Sequence, residues 1–198
     1  DTLKFEITLK WYRDCRGISL NRGGNLTIRC TSGGSRTATL TLKSIREITP
    51  VCATEPSRCS PSNTYGTGEG VEEHTYTGIL DFNTSPLNAL AKCSGQIVIG
   101  GAINARNGAI TTGPNGTLYT DCTIDLNKAP CNTSPALTSE PIAILCCDQP
   151  FYFNNGALDT ANFDSLSYGW ANPQRAYNTN TAYSGKFSYL NPFTVYED

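Results

Sequence analysis

Residues 3–11 read Leu3-Lys4-Phe5-Glu6-Ile7-Thr8-Leu9-Lys10-Trp11, with apolar and polar side chains alternating without a break. A period of two belongs to a strand with one buried face, so Leu3, Phe5, Ile7, Leu9 and Trp11 are expected to look onto a core. The same signal returns downstream. Asn21-Arg22-Gly23-Gly24 is turn chemistry, and Leu26 to Cys30 reads as the next strand. Thr37 to Ile45 alternates again, with Ala38, Leu40 and Leu42 on one face.

Residues 49–70 break the pattern with Pro50, Pro56, Pro61, Cys52 and Cys59, and read as a long loop. His74 to Phe82, the apolar run Ile97 to Ile103, and Leu118 to Leu126 follow as strands, the last placing Cys122 on the core face. Ile142 to Cys147 is a further apolar run, and Pro86 to Lys92 is the one stretch suited to a turn or two of helix. About eight to eleven short strands at even spacing imply an all-β, antiparallel β-sandwich of the immunoglobulin or PKD type, or an elaboration of it. We read residues 1–198 as one domain with a candidate internal boundary near 135–150.

Composition agrees with that class. The chain is 38% hydrophobic and carries 18 Gly and 11 Pro, a mix that favours turns over long helices. Only 16% of residues are charged, which argues against disorder. No stretch approaches the ~20 apolar residues of a spanning helix. The absence of Met and of a leader makes a processed chain or a segment the expected form.

Nine cysteines stand at positions 15, 30, 52, 59, 93, 122, 131, 146 and 147. Zinc is disfavoured because paired Cys-x-x-Cys knuckles are missing and His74 is the single histidine. Disulfides in an oxidising compartment are the better reading, so the sandwich is expected to be disulfide-stapled. The candidates are Cys15, Cys30, Cys52, Cys59, Cys93, Cys122, Cys131, Cys146 and Cys147. Cys52–Cys59 and Cys122–Cys131 are the preferred local pairs, while adjacent Cys146 and Cys147 should bond different partners. An odd count leaves one thiol free or paired elsewhere.

Net charge is −2, unevenly placed: residues 1–46 hold nine Lys or Arg against three Asp or Glu, and the remainder is acidic. A basic head and an acidic tail favour end-to-end self-association, although differing sheet faces would give the same asymmetry. An acidic total without a basic cluster excludes nucleic acid as the expected partner.

Several segments, in order, carry a resemblance. They are Tyr12-Arg13-Asp14-Cys15, Ile48 to Cys52, His74 to Gly78, Arg106 to Thr111, Cys146 to Gly156 and Asp164 to Tyr168. Together they resemble the N-terminal module of large secreted surface proteins of Bacteroidota, which often carry PKD-type repeats and a gliding-motility-associated C-terminal domain. The resemblance implies a secreted, bacterial cell-surface protein and offers no activity to inherit. Two departures stand out. Asn104 and Ala105 replace a cysteine pair usual in that family. A strand that usually precedes the first one here is also missing, so a neighbour's strand is expected to complete the sheet edge, as in strand-exchange filaments.

O-glycosylation in that group resembles a rule of Asp, then Ser or Thr, then a small or aliphatic residue. Thr2, Thr160 and Ser165 match it. The sequons at Asn25, Asn83, Asn115 and Asn132 would matter only in a eukaryotic secretory route.

Catalysis is not expected. His74 is the one obvious base and has no nucleophile motif beside it, and Glu72 and Glu73 read as solvated acids at a strand start. No cofactor is required. Calcium is the candidate ligand of Asp159, Asn162 and Asp164, against the plainer reading of an Asx-turn loop. The aromatic C-terminal quarter includes Tyr168, Trp170 and Tyr177. These are candidates for stacking on glycans or a protein partner, against a plainer role in the core. The leading expectation is a non-enzymatic structural or adhesive protein, either a filament subunit or a module of a large adhesin. A carbohydrate-binding module is the alternative.

Overall fold

The computed structural model describes residues 2–50, 57–60, 70–104, 106–108, 110–141, 150, 152, 154 and 156–192. The fold is all-β and antiparallel. Its strands are β1 (Lys4–Asp14), β2 (Gly23–Cys30), β3 (Ser35–Glu47), β4 (Val71–Asp81), β5 (Ile97–Asn104), β6 (Thr117–Ile124), β7 (Ala136–Leu137), β8 (Ala157–Leu158), β9 (Gln174–Ala176) and β10 (Thr179–Asn180). Eight of them form one sheet in the order β1-β4-β3-β2-β5-β6-β9-β10, while β7 and β8 make a separate ladder. The apolar run Ile142 to Cys147 lies outside the described residues.

The opening alternation holds. Leu9 and Trp11 are buried, Leu3, Phe5 and Ile7 pack half-buried against the core, and the intervening residues of β1 face solvent. In β3, Ala38, Leu40 and Leu42 face inward until a bulge between Leu42 and Ser44 shifts the register against β4. Gly23 and Gly24, expected as a turn, instead open β2 and pair with Thr41 and Leu40.

The sheet curls over on itself, so that one core lies between two faces as in a sandwich. Three ladders separate β1 from β2, yet Leu9 of β1 lies against Gly24 of β2. Trp11 likewise lies against Gly101 of β5, with Cζ2 3.3 Å from where a Cβ would stand. Glycine at both positions lets the faces approach closely. Ile28, Leu40, Tyr76, Leu80, Phe82 and Ile97 fill the interior with almost no exposure. A single 3-10 turn, Leu87–Leu90, closes one end by burying both of its leucines.

Two disulfides staple opposite ends of the curl. Cys30–Cys93 joins the end of β2 to the approach to β5, and Cys15–Cys59 joins the end of β1 to the loop before β4. The second bond corrects the expected Cys52–Cys59 pair: Cys59 is bonded to Cys15, with Cα atoms 5.1 Å apart. Backbone pairing of Cys15 N to Gly70 O draws the end of β1 toward this loop, which sequence spacing alone does not reveal. Cys122 and Cys131, the other preferred pair, are exposed and not bonded to each other. The chain after β6 curls into a turn about Asp125 instead of returning beside Cys122 as a hairpin. Cys122 does not reach the core: it is exposed although it stands opposite the buried Ile99 of β5. Cys52, Cys146 and Cys147 lie outside the described residues.

Beyond β6 the chain is held by few ladders. Tyr119 pairs with Gln174, and Arg106 bonds the carbonyl of Thr117 at 3.2 Å, that of Gln174 at 3.1 Å and the Thr181 hydroxyl at 3.1 Å. That guanidinium fastens β9 and Thr181, just after β10, to the start of β6. Among the described residues no helix is long and apolar enough to cross a membrane.

Candidate functional site

The pleat of β4 sends Glu72 and His74 to the inner face and Glu73 to the outer face. Pairing with β1 sets Arg13 opposite Glu72, Trp11 opposite His74 and Tyr12 opposite Glu73. On the inner face Arg13 Nη1 donates to Glu72 Oε2 at 2.9 Å, and His74 Nε2 lies 3.1 Å from the same oxygen. Arg13 Nη2 also donates to the carbonyls of Cys15 and Gly17, wrapping the chain around the Cys15–Cys59 disulfide. His74 is only 4% exposed, and its buried Nδ1 has no hydrogen-bond partner among the described residues. The one obvious base of the sequence is therefore walled in between Trp11 of β1 and Ile45 of β3.

The outer face holds a cluster that sequence reading missed. Glu73, expected to be solvated, is 5% exposed. Its carboxylate accepts from Lys10 Nζ at 3.0 Å, Tyr12 Oη at 3.2 Å and Arg46 Nη2 at 3.4 Å. Arg46 in turn bonds Glu140 at 2.7 Å, which ties the segment after β7 to the sheet. Burial alone would push the Glu73 carboxyl upward. The bond and charge of Lys10, the Tyr12 hydroxyl and the Arg46 charge outweigh it and hold the group below the usual range. Tyr12 responds in the opposite sense: burial first, then the Glu73 charge and hydrogen bond, push its hydroxyl up to about 12. The strand register, which brings bases of β1 and β3 onto one acid of β4, was the signal that would have found this cluster.

The candidate calcium residues form a turn. Asp159 Oδ1 accepts from the backbone N–H of Asn162 at 2.9 Å and of Ala161 at 3.2 Å. The donated bond of Asn162 leads the causes that hold the Asp159 carboxyl low, with burial opposing and the N–H groups of Asp164, Ala161 and Phe163 adding to it. Asn162 Oδ1 accepts from Thr133 N at 2.9 Å, so it fastens a neighbouring loop. Asp164 is exposed. This is Asx-turn geometry, and a cation there would compete with backbone donors. Among the described residues, one group of metal-capable side chains comes together, namely Cys15, Cys59 and Glu72. The two sulfurs of that group are bonded to each other.

The aromatic candidates separate. Trp170 is 77% exposed and Tyr168 67%, so neither belongs to the core. Tyr168 Oη accepts from Ala157 N at 3.1 Å, fixing this arm to β8. Phe163, at φ 58°, and Tyr152 are also exposed. Tyr177 is half-buried, with the Arg29 guanidinium 5.5 Å from its ring centre. Thr2, Thr160 and Ser165 are all exposed, as a modified hydroxyl requires.

Two open cavities lie among the described residues. One of about 180 Å³ has Trp11, Tyr76, Ser19, Asn21 and Asn104 in its lining. The other, about 240 Å³, lies between Arg29, Thr31, Ser35 and Tyr177. Neither lining includes a carboxylate or a histidine. No family model matches the chain, and no curated protein or solved structure matches it significantly.

Proposed function

We propose that this chain is a non-catalytic, extracellular structural or adhesive module of a bacterial cell surface. The observation that carries the reading is the pair of disulfides, closing spans of 44 and 63 residues at opposite ends of one curled sheet. Such cross-links persist in oxidising compartments and resist unfolding by shear or protease, which is what a surface-displayed protein needs. The enclosure of His74 supports a mechanical role over a chemical one. Exposed Thr2, Thr160 and Ser165 leave room for the O-linked sugars of a surface glycoprotein, so an intact mass above 21.4 kDa in native material would support it. The reading is tested by coupling the purified chain to beads and scoring retention on cells or surfaces under flow. Beads that detach as readily as uncoated ones would overturn it.

A second reading, carbohydrate binding, is favoured by one specific observation: Tyr168 and Trp170 present their rings to solvent on the same short arm. Aromatic faces stack on sugar rings and on partner proteins alike. Glycan-array binding that vanishes in Trp170→Ala would select it.

A further inference from the structure

Strand β1 lies at the edge of the eight-stranded sheet, and its register with β4 runs from Lys4–Asp81 to Asp14–Val71 without a bulge. Which of its backbone groups face outward follows from two bonds at its ends. Phe82 N donates to Leu3 O at 2.9 Å, and Cys15 N donates to Gly70 O at 3.0 Å. Bonded and non-bonded pairs alternate along an antiparallel ladder. The odd-numbered residues of β1 therefore turn their N–H and C=O groups toward β4. Lys4, Glu6, Thr8, Lys10 and Tyr12 turn theirs to the open edge. At the end of the strand Asp14 O accepts from Gly17 N at 2.8 Å. Among the described residues nothing bonds the outward backbone groups from Lys4 to Tyr12, and β1 contains no proline to blunt the edge.

The outward side chains select one partner. If a second copy pairs antiparallel about a two-fold axis, only registers that set even residues opposite even residues can exchange main-chain bonds. An axis at Ile7 would set Lys4 against Lys10 and repel. An axis at Leu9 would set Lys4 against Asp14, which already faces Arg58, and would bring the apolar Phe5 against the charged Arg13 on the inner face. An axis at Thr8 sets Glu6 against Lys10 twice over and Lys4 against the Tyr12 ring. On the inner face it sets Phe5 against Trp11 and Ile7 against Leu9. Opposed residues stand ~5 Å apart at Cβ, within ion-pair reach. Lys10 is bonded to Glu73 but is 47% exposed and keeps further ammonium donors. Among the described residues Glu6 has no ion-pair partner, and Phe5 and Ile7 are only half-buried, so this register adds a contact to each.

We infer that two copies of this chain join β1 to β1, antiparallel about a two-fold axis at Thr8, in a symmetric dimer with one continuous sheet. The partner is a second copy because the edge is self-complementary in charge in that register. The inference is independent of what the aromatic arm binds. A monomer would leave the adhesive reading standing, and loss of adhesion would leave the dimer standing.

The test uses the full chain in equal ¹⁴N- and ¹⁵N-labelled portions, treated with a zero-length carbodiimide and mapped by mass spectrometry. Within one strand Glu6 and Lys10 are ~13 Å apart at Cα, too far for an amide between their side chains. The expected result is a mixed-isotope Glu6–Lys10 peptide, together with a concentration-dependent dimer in sedimentation. Glu6→Lys should weaken that dimer at least ~10-fold while leaving the unfolding midpoint of the monomer in place. Thr8→Pro removes only an outward N–H and should abolish the dimer with β1 still paired to β4. A monomer at every concentration, or a dimer indifferent to both variants, overturns the inference. So does a dimer already covalent before cross-linking, joined through Cys122 or Cys131.

Discussion

Lys10 Nζ lies 3.0 Å from Glu73 Oε2, across the β1–β4 ladder on the outer face of the sheet. The lysine side chain is 47% exposed and the glutamate 6%, so the pair is a buried anion reached from solvent by a flexible cation. Tyr12 and Arg46 complete the set, and through Arg46 the Glu140 segment is fastened to the same point. A charge cluster of this kind fixes register more than it adds stability, because desolvating the carboxylate offsets much of the attraction.

The cluster sets a pH dependence. The folded-state pKa of Glu73 is depressed, so its contribution is present above the unfolded value and is lost as pH falls through the folded one. Glu73→Gln should therefore lower stability at pH 7 by about 1–3 kcal/mol and flatten the acid limb of stability against pH. Tyr12 acts at the other extreme. Its raised pKa of about 12 gives a contribution that is complete below the unfolded value near 10 and lost as pH rises toward 12. Tyr12→Phe should flatten that alkaline limb. Urea denaturation at a series of pH values measures both.

The two disulfides should not be equal in consequence. Cys30–Cys93 ties together β2, the 3-10 turn and β5, around buried Ile28 and Ile97. Removing it as Cys30→Ala/Cys93→Ala should cost about 4 kcal/mol on the loop-entropy model, and the loss should appear as global unfolding. Cys15–Cys59 closes a loop at the sheet edge, where Arg13 already grips the carbonyls of Cys15 and Gly17. Its removal should appear first as faster amide exchange at Cys15 and Val71, before any change in exchange at Ile28.

Strand β5 carries a more local test. The Tyr119 hydroxyl and ring sit directly over Gly100, in the space a Cβ would occupy. Gly100→Ala must displace that ring, and with it the neighbouring β6–β9 bridge at Tyr119–Gln174. The expected cost is about 1–3 kcal/mol, with faster amide exchange at Gln174. Tyr119→Ala combined with Gly100→Ala should recover part of the loss, because the obstruction is then absent.

What the sequence made legible follows its periodicity. The alternation of Leu3 to Trp11 gave both the strand and its buried face, and Ala38, Leu40 and Leu42 did so again. Three features were hidden. Curling of the sheet depends on contacts of Leu9 with Gly24 and Trp11 with Gly101, which join residues with no periodic relation. The Cys15–Cys59 bond follows from β1 and the loop before β4 meeting at one end of the ladder, a tertiary event that favours a 44-residue span over a short local one. The burial of Glu73 depends on Lys10, Tyr12 and Arg46 arriving from two other strands. A pair of adjacent acids looks solvated until the register is known.

The aromatic arm gives the sharpest separation between stability and binding. Trp170 has most of its surface in water, and Tyr168, also largely exposed, accepts from Ala157 N through its hydroxyl at 3.1 Å. Side chains exposed to this degree contribute little to the core, so Trp170→Ala should change unfolding free energy by less than about 0.5 kcal/mol. Tyr168→Phe keeps the ring and removes the acceptor. It should accelerate amide exchange at Ala157 several-fold while exchange at Leu26 and Ile99 in the main sheet stays unchanged. Retention on a glycan or cell surface should then fall in Trp170→Ala and persist in Tyr168→Phe, since stacking uses the ring face and not the hydroxyl. A Trp170→Ala protein that unfolds early would place the indole in a packed interface, and retention undiminished in that variant would remove the arm from the binding surface.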